Sequence, residues 1–546
     1  MKVYEAIADA CLAEGQSPIF ALMGDGNMEL LSALDQRSPA RIVHARHENA
    51  AVAMADGWAR ASGDVGVCTV TSGPGLTQIA TSLVVAARHG TPLVVLAGDT
   101  PHLASYNLQG FAQAPFAAAS EAAFVRLRSP DTALDDVREA FVRARSEQRP
   151  VVLGLPMDIQ QEEYPWDPMY EPSARSMPSS PPVSPSTEDL REIAQMVTSC
   201  EKVVVLAGRG AAVSGSGPAL LKLADRLGAV LATTLRAKGM FDGSEWDLGV
   251  AGAFSPGAAR ELFVEADCVL AFGAGLGYHT TEGGYLFPKA TIVQVDTHPK
   301  SMIEGQRPAH VQITGDARQV AEKLSALVAD SSPRSEFRAA ARAVRPGAVK
   351  EHPGPLTDGL DPAAALRTVN DAVPASAPVV VGAGHFWNFA VPALTGRAPD
   401  KYVFTYDFGC IGQSVPVAMG VAHYAGRAFV VEGDGSLLMN VQELETLARH
   451  RTPVLCFVMN DGAYGAEVHK LRAKGLRGEQ ADFGRTDFAA VATAFGLRGV
   501  SVTSLSQIGP AVEEFMETGE PTVVDLHISP QVIAPTYRRL FFGEVE

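Results

Sequence analysis

The sequence predicts an α/β protein made of three doubly wound parallel-sheet domains, and three observations carry that prediction. Short apolar runs recur along the chain and end near glycine. Alanine-rich segments with helical spacing fill the intervals between them. Two proline-rich stretches break the rhythm and divide the chain into three blocks. Strands buried on both faces read as continuous apolar runs, and their alternation with helices builds parallel sheets covered on both sides.

In chain order, the first block (1–165) carries PLVVLAG at 92–98 and PVVLGLP at 150–156. The stretch PWDPMYEPSARSMPSSPPVSPS (165–186) is dense in proline and serine and reads as a surface linker. The second block (186–330) carries KVVVLAG at 202–208 and CVLAFGAG at 268–275. A second linker covers 331–362. The third block (360–546) carries RAFVVEGDG at 427–435 and PVLCFVMNDG at 453–462, and it shares a style of strand, glycine turn and helix with the first.

Composition narrows the function class. The chain has 546 residues, is 47% hydrophobic and carries a formal charge of −16. Each block is long enough to bury its own core, and the acidic balance argues against nucleic acid or anionic membranes as partners. The six cysteines lie far apart without a CxxC pair, so neither a zinc site nor a disulfide framework is indicated. No stretch stays apolar long enough to span a bilayer, and the mixed-charge N-terminus lacks a signal-like apolar core. The expectation is a cytoplasmic protein.

The chemistry is concentrated in EGDGSLLMNVQELETLARHRTPVLCFVMNDGAYG, from Glu432 to Gly465. An apolar strand delivers Gly433-Asp434-Gly435, where glycines let the backbone approach a ligand and Ser436 opens a helix. C-terminal ends of such strands are where α/β sheets bind phosphates. A phosphate loop of the Walker type would carry lysine here, and this one has none. Residues 437–450 read as a helix with Leu438, Val441, Leu444 and Leu447 on one apolar face, after which a neighbouring strand returns the chain to the same edge. Asn460-Asp461-Gly462-Ala463 then faces Asp434 with carboxylate and carbonyl oxygens, which suit a small hard cation such as magnesium. A second Gly-Asp-Gly at 24–26 serves as a control, because the same spacing from Asp25 falls on Ala51 and Val52.

Gly-Asp-Gly followed by a 24-residue spacer (436–459) and Asn-Asp resembles the thiamine diphosphate and magnesium motif of the thiamine-dependent enzymes. The resemblance implies that Asp434 and Asp461 bind Mg2+ by side chain and Ala463 by its carbonyl, with aspartate at 461 where asparagine is usual. It also implies cofactor contacts from Gly433, Gly435, Ser436, Asn460 and Tyr464. Thiamine must lose a proton from C2, and a carboxylic side chain bonded to its aminopyrimidine promotes that loss. The family's pattern RHExxAxxxAxGxAR is matched at residues 46–60, which makes Glu48 the implied acid, with Thr71 of the following Thr71-Ser-Gly-Pro-Gly75 beside the cofactor. Phe408-Gly-Cys-Ile-Gly412 is similar to the segment that props thiamine in its bent form, with Ile411 as the wedge and the Gly409 carbonyl as acceptor. Gly384 and His385 stand where the family's third block approaches the diphosphate.

The resemblance covers nearly the whole chain, and the domain order matches the branch containing pyruvate decarboxylase, benzoylformate decarboxylase and acetolactate synthase. In that branch the N-terminal domain (1–165) holds the pyrimidine, 186–330 is a central Rossmann-like domain and 360–546 holds diphosphate and metal. Some relatives keep FAD or ADP in the central domain, but Gly208-Arg-Gly-Ala-Ala212 lacks the full glycine spacing and a well-placed acid and reads as structural. Because the two motifs lie in different blocks that belong to two subunits in this family, a homodimer or homotetramer is implied.

Substrate is read by other side chains. Asp25 and Glu467 match positions of pyruvate decarboxylase's proton-handling carboxylates, and His279 looks like a histidine of benzoylformate decarboxylase. Asp25 and Glu467 form the expected pair, since two carboxyls in one low-dielectric site separate in pKa. The paired histidines of pyruvate decarboxylase and the arginine of acetolactate synthase's GARFDDR-like stretch are absent. The implied activity is decarboxylation of a 2-oxo acid through a thiamine-bound enamine, released as an aldehyde or joined to a carbonyl acceptor. The alternatives are an acetolactate synthase-like carboligase or a carbon–carbon lyase on a specialised substrate. A flavin or nicotinamide oxidoreductase explains the α/β blocks but not the pairing of Glu48 with the two glycine turns.

Overall fold

A computed structural model describes residues 1–167, 169–178, 181–298, 308–328, 335–344, 346–347 and 351–544. The linker residues 331–334, 345 and 348–350, for which only a surface course was expected, lie outside the described residues. Among the described residues, eighteen strands form three six-stranded sheets. The first holds β1 (Ile19–Ala21), β2 (Ile42–His44), β3 (Gly66–Val70), β4 (Leu93–Asp99), β5 (Ala123–Arg126) and β6 (Pro150–Pro156). The second holds β7 (Val203–Ala207), β8 (Val230–Thr233), β9 (Asp247–Val250), β10 (Cys268–Phe272), β11 (Thr291–Asp296) and β12 (Val311–Thr314). The third holds β13 (Val379–Val381), β14 (Tyr402–Phe404), β15 (Ala428–Gly433), β16 (Val454–Asn460), β17 (Arg498–Val502) and β18 (Thr522–His527).

Every paired strand in the three sheets is parallel. The three-domain α/β architecture is therefore that of the sequence, and the six apolar runs quoted above are β4, β6, β7, β10, β15 and β16. Their residues are buried on both faces, as parallel sheets require.

The first and third sheets have the same strand order. The first runs β2-β1-β3-β4-β6-β5 and the third β14-β13-β15-β16-β18-β17. In each, the order reverses between the first and third strands, which is where open α/β sheets bind ligands. The helix that follows the second strand of each sheet, Glu48–Ser62 and Ser414–Ala425, packs against its counterpart. Both are rich in small residues because they touch protein all round. At the crossing a side chain on Gly57 would collide with the Val417 carbonyl, and one on Gly420 with the Met54 carbonyl. Glycine is needed twice here for reciprocal backbone contact.

One element departs from expectation. Residues 437–450 are not one helix: Asp434–Leu438 and Glu443–His450 are separate, with turns at 439–442 between them. Leu444 and Leu447 are buried, but Leu438 is 38% exposed. The interruption arises because Met439 and Asn440 pack against Gly412, whose carbonyl accepts from Asn440 Nδ2. No helix among the described residues is long and apolar enough to cross a membrane.

Candidate active site

A cleft of about 1380 Å³ opens along the C-terminal edge of the third sheet and is closed on its other side by the middle domain. The turns after β13, β15 and β16 form its floor, bringing together Gly384, His385, Gly433, Asp434, Gly435, Ser436, Asp461, Ala463 and Tyr464, with Gly409 and Ile411 from the loop after β14. Asp434 is buried; its Oδ1 accepts from the Gly435 N–H at 2.8 Å and its Oδ2 from the Gly462 N–H at 2.7 Å. Asp461 Oδ1 accepts from the Ala463 N–H at 3.2 Å. Gly462 adopts φ +78°, which turns the chain back so that 461–463 faces Asp434.

Neither carboxylate has an ion-pair partner among the described residues. Burial, reinforced by the charge of Asp461, pushes the Asp434 carboxyl well above the usual carboxylate range, and burial raises Asp461 as well. Two desolvated carboxylates side by side are costly unless a cation offsets them. Magnesium fits this donor set, since it takes one or two carboxylates together with phosphate oxygens rather than a cage of side chains.

Around this pair the backbone is held from behind. Glu432 is 1% exposed; its carboxyl accepts from the Ser414 hydroxyl and from the Gly433 N–H at 2.9 Å. Burial lifts it to about 7 despite a further hydrogen bond from Ser436. Ser436 Oγ also accepts from the Gly412 N–H at 2.7 Å, so its hydroxyl ties the wedge loop to the Gly-Asp-Gly turn. The only sign of Glu432 in the sequence is an acid inside an apolar strand. Ile411 is half-buried on the cleft wall, and Gly409 takes φ +71°.

His385 is buried, and its Nε2 accepts from the Ala534 N–H at 3.1 Å. Burial holds its pKa well below the usual histidine value, so the ring is neutral and its proton sits on Nδ1. Asn460, expected at the cofactor, lies off the cleft lining, and its Nδ2 donates to the Thr486 carbonyl and to Asp525 Oδ1, each at 2.8 Å. A residue ending a buried strand points to one sheet face or the other, and spacing alone does not say which.

The residues expected from the first domain form a second group at the edge of the first sheet. Glu48 begins the helix Glu48–Ser62, capped by His47, whose Nδ1 accepts from the Asn49 N–H at 3.0 Å. The Glu48 carboxylate has no hydrogen-bond partner among the described residues. Thr71 Oγ1 accepts from the Gly26 N–H at 3.0 Å, which sets the loop carrying exposed Asp25 against it. A Cβ on Gly75 would lie 2.7 Å from the Thr71 methyl and 3.8 Å from Glu48 Oε1. Glu48, Thr71 and Asp25 thus share one edge, and none lines the main cleft of this chain. The third domain nevertheless holds Glu48's helix: buried Glu443 accepts from the Arg46 N–H at 3.2 Å, and burial lifts it to about 7.

His279 and Glu467 line the main cleft from the middle and third domains. Glu467 is exposed and pairs with Lys470 at 3.2 Å. The expected pairing of Asp25 with Glu467 in one low-dielectric site is not made within the chain, because each sits on the edge of a different sheet. Sequence reasoning also missed Asp296, which ends β11 and lines the cleft with Gly210 and Gly273, so the middle domain does place an acid near its glycine turns. It missed Asp407 as well, where the domains meet. Asp407 is paired with Arg60 at 3.3 Å and with Arg236, and the His89 ring, kept neutral by burial, lies 3.1 Å away; against the desolvation that would raise it, the His89 hydrogen bond and the two guanidiniums hold the Asp407 carboxyl well below the usual range.

Comparison with known proteins agrees with this geometry along the chain. Residues 1–120 match the family model described as "Thiamine pyrophosphate enzyme, N-terminal TPP binding domain", 190–324 its central domain and 382–526 its C-terminal TPP binding domain. The chain is 28% identical to a probable acetolactate synthase large subunit of Methanocaldococcus jannaschii, covering 98% of this chain and 93% of that protein. It is 29% identical to the chloroplastic acetolactate synthase 1 of Zea mays, over 95% of this chain and 84% of that protein. It is 28% identical to the acetolactate synthase large subunit of Parasynechococcus marenigrum, over 96% and 87%. With N-terminal, central and C-terminal models matched in order on three parallel-sheet domains, the chain belongs to the thiamine diphosphate-dependent enzyme superfamily.

Proposed function

We propose that the protein is a thiamine diphosphate- and magnesium-dependent carboligase of the acetolactate synthase type, which takes a 2-oxo acid, releases CO2 and joins the remaining acyl unit to a carbonyl acceptor. The observation that carries the cofactor is the desolvated pair Asp434 and Asp461 beside the Ala463 carbonyl. Full-length similarity to acetolactate synthases favours ligation over simple aldehyde release. Simple 2-oxo acid decarboxylation, with Asp25 of the second copy beside Glu467, is the weaker reading, since the relatives matched along nearly the whole chain are acetolactate synthases.

Thiamine diphosphate would supply a carbanion that adds to the 2-oxo group and accepts the electrons left by departing CO2. The chain's residues would do the rest. Asp434, Asp461 and the Ala463 carbonyl hold the ion against the diphosphate, and the glycines at 433 and 435 admit it: a Cβ at 435 would already lie 2.6 Å from the Tyr464 ring. Neutral His385 would offer an Nδ1 proton to an anionic oxygen, and Ile411, on the cleft wall, would pack against the bound cofactor. Glu48 hydrogen-bonds the pyrimidine. Because Glu48 stands on the edge of another sheet, a second copy of the chain delivers it, which makes the working unit a homodimer or a homotetramer of such dimers. Exposed Leu103, Tyr106 and Leu108 near the first edge, and Met439 and Tyr464 near the third, supply apolar surface for that contact.

The test is incubation of the purified protein with a panel of 2-oxo acids, alone and with aldehyde acceptors, with thiamine diphosphate and magnesium added or withheld. Cofactor-dependent CO2 release with hydroxyketone products by NMR is expected. Aldehyde as the sole product would replace the carboligase reading with decarboxylation, and no release from any acid would overturn both.

A further inference from the structure

A second cavity, of about 640 Å³, lies behind the main cleft between the middle and third domains. Val250, Ala253, Phe254, Asn388 and Thr536 line both spaces and form the wall between them. Lys238 opens into the second cavity. It is 7% exposed, yet its Nζ makes no hydrogen bond or ion pair with a described residue; the Tyr402 ring centre lies 5.2 Å away. Lysine is almost never buried without a partner. Its loop cannot withdraw to solvent, because Gly239 at φ +86° packs its Cα against the Arg397 carbonyl and Asp242 accepts from the Gly396 N–H at 2.7 Å.

Asp247 lines the same cavity and is 7% exposed. Its Oδ1 accepts from the Gly249 N–H at 2.9 Å, and no described residue donates to its Oδ2. Desolvation lowers the Lys238 ammonium to about 8, tempered by the charges of Asp242 and Asp247, and lifts Asp247 to about 6 with help from Asp242, against the Gly249 N–H and Lys238. A desolvated lysine retains a neutral, nucleophilic fraction near neutral pH, and a carboxyl titrating in the same range can give and take a proton.

We propose that Lys238 is a second, thiamine-independent carbonyl-binding site, whose amine condenses with a small aldehyde or ketone in this cavity while Asp247 handles the proton. The neutral amine attacks the carbonyl carbon and forms a C–N bond, and the carbonyl oxygen takes a proton. Nitrogen then drives out that oxygen as water, so amine, carbonyl and one proton become a protonated imine and water. No electrons leave the system. That the carbonyl compound arises in the neighbouring cleft rests on the carboligase reading; the condensation itself does not.

The full-length protein, with and without thiamine diphosphate and magnesium, is exposed to glyoxylate or acetaldehyde in the presence of cyanoborohydride, which reduces the imine to a stable secondary amine. Mass spectrometry then reads the peptide 237–260, which a modified Lys238 keeps uncut. Labelling of Lys238 roughly tenfold or more ahead of surface lysines is expected, in both arms and lost in Lys238→Arg, with Asp247→Asn slowing it. Label confined to surface lysines overturns the proposal, and the wild-type map decides even if a variant fails to fold. An adduct without any ligation product leaves this site standing and removes the carboligase reading; ligation without an adduct does the reverse.

Discussion

The first and third domains share one strand order and one helix crossing, yet their C-terminal edges are built for opposite tasks. The third sheet's edge buries carboxyl groups: Asp434 and Glu432 are buried, Asp461 is desolvated, and all three accept from backbone N–H groups. The first sheet's edge leaves Glu48 half-buried with no hydrogen-bond partner among the described residues. The Gly-Asp-Gly at 24–26 follows the first strand of its sheet, whereas that at 433–435 follows the third. An identical tripeptide in a topologically different place meets no second turn, which is why Asp25 is exposed and Asp434 is not. Fold is common to the two domains; chemistry belongs to the loops.

If that division of labour is right, the two edges fail differently when altered. The largest expected effect is at the first edge: Glu48→Gln should lower turnover by about 10²- to 10⁴-fold, the range for loss of a positioned acid or base, while thiamine diphosphate still binds in the presence of magnesium. Titration of binding by protein fluorescence alongside product NMR separates the two. Loss of both together would mean that Glu48 holds the first domain in place rather than acting on the cofactor.

Next comes the third edge. Asp434→Asn should raise the magnesium concentration needed for cofactor binding by more than the roughly 10- to 100-fold typical of losing an outer contact to a metal, with chelation abolishing wild-type binding reversibly. Magnesium dependence unchanged in the variant would show that the buried pair does not hold the ion.

The contrast between edges also explains what the sequence made legible. Parallel strands such as β4 and β16 announce themselves as unbroken apolar runs, and the two glycine turns are recognisable because a strand, helix and strand fix the distance between them. The direction of Asn460 was not legible, since a partner 65 residues away, Asp525, captures its amide. Nor was the break at 439–442, which is set by Gly412 from a different loop. Glu443 and Asp407 look like ordinary surface acids in sequence; only tertiary contact with Arg46 and Arg60 reveals them as joints between domains.

A smaller effect probes what the two domains share. Gly57→Ala or Gly420→Ala should destabilise the fold by about 1–3 kcal/mol, the usual cost of forcing extra volume into a packed interior, and the two should cost similar amounts because they occupy matching helices. Thermal melts of both variants test this. A marked inequality would break the equivalence of the two helices.

The smallest effect is a change of slope. Glu443 is the joint through which the third domain holds the start of Glu48's helix, and burial raises its carboxyl from 4.5 to about 7. Between those values the folded protein keeps a proton that the unfolded chain has lost, so the stability this group contributes is full at low pH and is lost as pH rises through about 7. Glu443→Gln keeps an acceptor for the Arg46 N–H but cannot titrate. Its stability relative to wild type should therefore climb between about pH 5 and pH 8, as read by denaturant midpoints across that range. Parallel pH curves for the two proteins would mean that Glu443 is ionised throughout, and that the domains are joined by a charged contact rather than a protonated one.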